Sequence, residues 1–190
     1  MGKSFDHLKK VYTQPSMTGI EPDDLEQVKV IKFSPDEKYL ATGDEGGTLK
    51  IYSLDNFDLS YSFDVHNAPI TCMDFIYYKE PNNSKNDVYL LATGSQDPFV
   101  HIFDFGSWIN ETEREKERDI GDICTLTDHD IEASISNIVF AIDKNQVKKL
   151  ITSGTDFKIH FYVVNNDKTI QLINTFVSNF KLYTDFSIGL

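Results

Sequence analysis

The sequence predicts an all-β chain built from three copies of one four-stranded unit. Three observations carry that expectation. Apolar and polar residues alternate in short runs, the period that puts every second side chain on one sheet face. A strand–turn–strand pattern recurs three times along the chain, and such recurrence specifies a repeat architecture. No stretch carries an apolar helical stripe over three turns; the one helix-friendly stretch, Glu111 to Arg118, has no apolar face.

The elements follow in order. Residues 1–25, with Pro15 and Pro22, read as a leading segment or linker, and residues 26–190 as the repeat domain. The first unit, about 27–63, opens with Val28-Lys29-Val30-Ile31-Lys32-Phe33. Tyr39-Leu40-Ala41-Thr42-Gly43 then leads through a tight turn into Thr48-Leu49-Lys50-Ile51-Tyr52, which is a hairpin. The second unit, about 69–126, repeats this with a strand ending at Phe75, then Leu90 to Gly94, then Phe99 to Phe103. The third, about 134–177, has a strand ending at Phe140, then Leu150 to Gly154, then Phe157 to Tyr162. Asp64-Val65-His66 and Thr127-Asp128-His129 join the units, and residues 182–188 read as the first strand of a fourth.

The spacing identifies the architecture. Gly43 and Gly94 stand 51 positions apart, and the polar insert Asn82 to Asp87 contributes six of them, leaving 45. His66 and His129 stand 63 apart; removing that insert and the twelve residues Trp108 to Asp119 again leaves 45. A period of about 40–45 residues is that of four-stranded β-propeller blades. The expected fold is a partial β-propeller: three blades of four antiparallel strands plus the first strand of a fourth.

Composition excludes several functions. The formal net charge of −12 opposes a sequence-independent grip on nucleic acid, which needs basic stripes, and opposes anionic membrane surfaces. No apolar run reaches the roughly 18 residues that span a bilayer, and Met1 to Lys10 precedes no apolar signal core. Cys72 and Cys124 read as small core residues of a reduced chain. No nucleophile elbow or phosphate-binding loop is present; Gly43, Gly46 and Gly47 supply turn conformations instead. His101 and His160 recur at equivalent strand positions and read as repeated packing, so no metal or cofactor is expected.

The order of His, then Ser-x-Asp after a Gly, then an aromatic-Asp ending resembles the WD repeat. Unit two fits best, through His66, Ser95, Asp97, Phe103 and Asp104, with Phe103 where the family often has Trp. Phe33-Ser34-Pro35-Asp36, Asp64-Val65-His66-Asn67-Ala68, Leu91 to Asp97 and Ser153 to Lys158 resemble the mitogen-activated-protein-kinase-binding WD-repeat proteins. The likeness runs from about Val28 to Ser187. It implies a structural hydrogen-bond network: His66, Asp97 and Ser95 in blade two, His129 and Asp156 in blade three, where Gly154 replaces the hydroxyl residue. In blade one Gly46 falls at the Asp position and Asp44 at the Ser position. It also implies that the chain is part of a longer propeller, since closure takes about seven blades.

The function so implied is a non-enzymatic protein-interaction scaffold. Its partners would be proteins, including kinase-pathway or cytoskeletal components, and its place the cytoplasm, the centrosome, the spindle or other microtubule structures. The alternative is a WD-repeat subunit of another multiprotein complex. A propeller enzyme would need acidic or histidine residues converging on the central channel, and only turn residues offer themselves. Trp108 with Glu111, Glu113, Glu115 and Glu117 forms a candidate contact for a basic partner, or a solvated loop.

Overall fold

The computed structural model describes residues 26–79, 87–106 and 124–178. They form twelve strands in chain order. Blade one holds β1 (Val28–Phe33), β2 (Tyr39–Asp44), β3 (Thr48–Ser53) and β4 (Leu59–Asp64). Blade two holds β5 (Ile70–Lys79), β6 (Asp87–Ser95), β7 (Val100–Asp104) and β8 (Cys124–Leu126). Blade three holds β9 (Ile135–Ile142), β10 (Lys148–Gly154), β11 (Lys158–Val164) and β12 (Ile170–Val177). Each blade is a separate four-stranded antiparallel sheet with neighbours in sequence order, an up-and-down meander. The fold is therefore an all-β stack of propeller blades.

Two strand limits differ from the sequence pattern. Phe75 and Phe140 lie inside β5 and β9, because Tyr77, Tyr78 and Ile142 extend the alternation past them. Asp87, grouped above with a polar insert, opens β6 opposite Lys79, since pairing of two long strands continues after the apolar run stops. The expected strand at 182–188 and the leading segment 1–25 lie outside the described residues.

The blades radiate from their first strands: β1 lies against β5, and β5 against β9. One carboxylate links all three. Asp74 on β5 accepts the Phe140 N–H of β9 at 2.7 Å and pairs with the Lys32 ammonium of β1 at 2.9 Å. A mostly buried carboxylate needs such partners, since burial without them would cost several kcal/mol.

Two apolar clusters fill the spaces between blades, one per junction. Leu49, Ile51, Met73, Phe75, Leu91 and Phe103 belong to the first, between blades one and two. Ile76, Leu90, Ile102, Ile138, Phe140 and Leu150 belong to the second, between blades two and three. Period-two alternation makes this possible: odd-numbered positions such as Phe75, Leu91 and Phe103 face blade one, and Ile76, Leu90 and Ile102 face blade three. The outward faces of blades one and three carry Ile31, Phe33, Leu59 and Phe176 in exposed positions. Neither Cys72 nor Cys124 forms a disulfide, and burial pushes the Cys72 thiol up to about 12.

The repeated glycine of β2 and β6 has a packing reason. A Cβ on Gly43 would sit 2.6 Å from Ile70 Cγ2, and one on Gly94 would sit 2.6 Å from Ile135 Cγ2. At each junction the first residue of the next blade fills the space where the glycine has no side chain. Gly94→Val should overpack the second junction and lower stability by about 1–3 kcal/mol. Urea unfolding of the variant measures this, and an unchanged midpoint contradicts the close approach.

Candidate functional site

An up-and-down sheet places alternate turns at opposite ends. The β2–β3, β6–β7 and β10–β11 turns therefore share one end with the connectors that pass from blade to blade. All the residues singled out for the network in the sequence lie here, apart from the aromatic position one turn down the strand.

In blade two His66 arrives on the connector from blade one. Its Nδ1 lies 2.9 and 3.1 Å from the two Asp97 oxygens, and its Nε2 lies 2.9 Å from Thr93 Oγ1. A carboxylate only accepts, so in the neutral ring Nδ1 carries the proton and Nε2 accepts from the Thr93 hydroxyl. Asp97 also accepts the Phe99 N–H at 3.1 Å, which closes the β6–β7 turn. Ser95 does not touch His66. Its hydroxyl donates to the Ala68 carbonyl at 2.9 Å and accepts the Asp97 N–H at 3.2 Å, so it fastens the connector backbone directly.

Blade three repeats the arrangement. His129 Nδ1 lies 3.0 and 3.1 Å from the Asp156 oxygens and Nε2 lies 2.9 Å from Thr152 Oγ1. Asp156 also takes the Asp130 N–H at 3.1 Å and the Lys158 N–H at 3.2 Å. Thr152 is thus the counterpart of Thr93, and Gly154, at the Ser95 position, offers the connector no hydroxyl. Thr93 and Thr152 lie one pleat further from the turn than Ser95 and Gly154, the last residues of β6 and β10, and on the same sheet face. The aromatic position is Tyr162, whose hydroxyl donates to Asp128 Oδ2 at 3.0 Å. Burial and the neighbouring Asp128 charge raise the Tyr162 pKa, which keeps its proton in place as a donor. Thr93, Thr152 and Tyr162 escaped the sequence reading; a threonine two residues before the turn serine or glycine, seen in both blades, was the available signal.

Blade one substitutes its own device. Asp44, at the Ser95 position, is buried and accepts the N–H groups of Gly46 and Thr48 at 3.1 and 2.9 Å. Lys50 pairs with it at 3.3 Å. One carboxylate closes the turn without a histidine.

A second histidine stacks on each first one. His101 meets His66 edge-on at 4.6 Å between ring centres, and His160 meets His129 at 4.4 Å. Their Nδ1 atoms lie 3.1 Å from Thr125 Oγ1 and 2.8 Å from Thr175 Oγ1. His129, Asp156 and His160 bring donor atoms within 4.8 Å of one another, a spacing open to a metal ion. Both His129 nitrogens are already engaged, so a cation there would displace the Asp156 or Thr152 bond. The arrangement is built to hold a turn. Trp108, Glu111, Glu113, Glu115 and Glu117 lie outside the described residues.

The charges set a pH dependence. Burial pushes the Asp156 carboxyl up, but the Asp130 N–H, the His129 charge and the Lys158 N–H outweigh it and leave the pKa below 3.8. Burial also pushes the Asp97 carboxyl up, and the His66 bond and charge bring it below 3.8. For His129, burial outweighs Asp156 and the pKa falls below 6.5; for His160, burial and the His129 charge lower it as well. Folded histidines with lowered pKa values hold fewer protons than the unfolded chain. Their contribution is intact above 6.5 and is lost as pH falls through that value toward the folded pKa. The carboxylates act further down, losing their contribution below 3.8. The urea midpoint should therefore drop between about pH 7.5 and about pH 5.5. His160→Phe should flatten that slope, and an equal slope in both proteins contradicts the assignment.

Comparison with known proteins adds a family context. Residues 7–78 match the family "Anaphase-promoting complex subunit 4 WD40 domain", and residues 57–104 match "WD domain, G-beta repeat". "WD repeat-containing protein 62" of Mus musculus is 31% identical over 77% of the chain. "Mitogen-activated protein kinase-binding protein 1" of Mus musculus is 29% identical over 70% of the chain. The chain spans about 8% of the length of each of these relatives. Among solved structures, a chain of the "Crystal Structure of Mitotic Checkpoint Complex" aligns with a TM-score of 0.55 and 18% identity, over 82% of this chain and 38% of that one.

Proposed function

For a chain that belongs to the WD-repeat proteins, as its matches over residues 7–104 show, we propose the role of a non-enzymatic scaffold within kinase-signalling or microtubule-associated assemblies. The observation that supports it most is the use of the connector-end histidines and aspartates. Each described His–Asp pair is fully engaged in holding a connector to a turn, and a general acid or base needs a proton path to a substrate. The result is a rigid end that displays loops. The similarity to the mitogen-activated protein kinase-binding protein supports the kinase-signalling part of this reading; a cytoplasmic place, including centrosome or spindle, is proposed with it.

The two exposed outer faces belong to this proposal. They repeat the sheet faces that are buried at both internal junctions, and further blades of the same longer chain would cover them. The acidic run Glu111, Glu113, Glu115 and Glu117 beside Trp108 is proposed, on composition, as a contact for a basic partner.

A second reading rests on a specific observation. The match to the anaphase-promoting complex subunit 4 domain favours a WD-repeat subunit of another multiprotein complex. Affinity purification of the tagged full-length protein, with imaging of a fluorescent fusion, tests both. Recovery of kinase-cascade components with a centrosomal or spindle signal is the expected result. Stoichiometric recovery of a different complex selects the second reading, and a protein that purifies alone contradicts both.

A further inference from the structure

We infer that the connector Thr127–Ser134 presents Ile131 as an anchor for a basic, apolar-bearing protein segment; this rests on the interaction reading above and gives it a surface and a partner chemistry. Ile131 is 87% exposed, the most exposed large apolar side chain among the described residues. Single apolar side chains on a surface are ordinary. The backbone around this one is not ordinary, because it is held on both sides. The Ala133 N–H donates to the Asp130 carbonyl at 2.8 Å and closes a turn whose tip is Ile131 and Glu132. Ser134 and Thr155 exchange two bonds of 2.9 Å, one from the Ser134 N–H to Thr155 Oγ1 and one from the Thr155 N–H to the Ser134 carbonyl. The Ser134 hydroxyl reaches the Gln96 carbonyl of blade two at 3.2 Å. Asp156 holds the Asp130 N–H, and Lys158 holds its carboxylate at 2.6 Å.

The other connector shows that packing does not require the tip. From His66 to Ile70 is four positions, and from His129 to Ile135 is six. Asn67 corresponds to Asp130, Ala68 to Ala133 and Pro69 to Ser134, so the two extra residues are Ile131 and Glu132. Both histidines make the same bonds, and the shorter connector closes the same turn. The added pair contributes an isoleucine held in water and a carboxylate beside it. A backbone held in this way on both sides of the tip loses little freedom on binding.

Charge sets the partner. Asp128, Asp130 and Glu132 are all exposed around Ile131. The lysines described at this end, Lys29, Lys50 and Lys158, are each paired with a carboxylate within 3.4 Å. Two further apolar side chains are exposed on the flanking turns: Phe99 before β7, and Phe157, held at φ 62°. An acidic field around apolar points complements a segment that alternates basic and apolar residues.

The test uses the full chain, labelled with nitrogen-15, and short peptides as probes: alternating Arg and Leu, alternating Glu and Leu, and alternating Arg and Ser. The Arg–Leu peptide is expected to shift resonances of 97–99, 128–132 and 155–157, and the other two to bind about tenfold more weakly or not at all. Ile131→Asn should weaken Arg–Leu binding by about tenfold, while Phe57→Asn, at an exposed phenylalanine of the opposite end, should leave it unchanged. Equal binding by the Ile131→Asn protein, shifts confined to the opposite end, or no binding overturns the inference. The failures separate cleanly. If cellular partners are recovered undiminished by Ile131→Asn, the scaffold reading stands and this surface falls. If the peptide binds as stated and no partner is recovered, the surface stands and the scaffold reading falls.

Discussion

The bond from a connector histidine to a turn aspartate organises the connector end of the described blades. It closes three problems with one contact. The turn aspartate also accepts turn N–H groups, so the β6–β7 and β10–β11 hairpins keep their shape. The histidine reaches threonine on the same sheet, so the connector cannot lift away. The carboxylate fixes the imidazole tautomer, and every strong donor in the group finds an acceptor. A buried network of this kind contributes less through any single bond than through the cost of leaving a partner unpaired. In blade three it extends through Tyr162 to Asp128, and so binds the connector at two points along the strand.

Packing between blades imposes the other constraint. A four-stranded sheet with apolar side chains on both faces gains stability only when both are covered. Blade two has neighbours on each side, and its strands β6 and β7 are buried almost throughout. Blades one and three have one neighbour each among the described residues, and their outer faces keep phenylalanine and isoleucine in contact with solvent. The same chemistry that makes each junction firm makes the uncovered faces adhesive.

Much of this was legible in the residue order. Period-two alternation specified the strands, and the spacings Gly43 to Gly94 and His66 to His129, equal once the polar inserts are subtracted, specified four-stranded units. The pairings of His66 with Asp97 and His129 with Asp156 could be read by aligning the repeats, since one connector and one turn recur together. What escaped was set by the pleat and by twist. Thr93 and Thr152 look like ordinary strand residues, and only the face they share with the incoming histidine gives them a role. The motif places Ser95 beside His66, but Thr93 occupies that position, and the Ser95 hydroxyl, two residues nearer the turn, meets the Ala68 carbonyl and the Asp97 N–H instead. Asp74 gave no signal, because its partners Lys32 and Phe140 come from two other blades and no local pattern joins them. The reason for Gly43 and Gly94 was equally remote, since Ile70 and Ile135 fill the space only after the blades meet.

A double-mutant cycle on His129 and Asp156 tests the central claim most directly. Stability would be measured for the parent, His129→Gln, Asp156→Asn and the double variant, all above pH 7. If the pair is the bond that holds connector to turn, the two losses should be strongly non-additive, with a coupling of about 1–3 kcal/mol. Losses that add to within about 0.3 kcal/mol would show that each side chain acts through other contacts and would contradict the account.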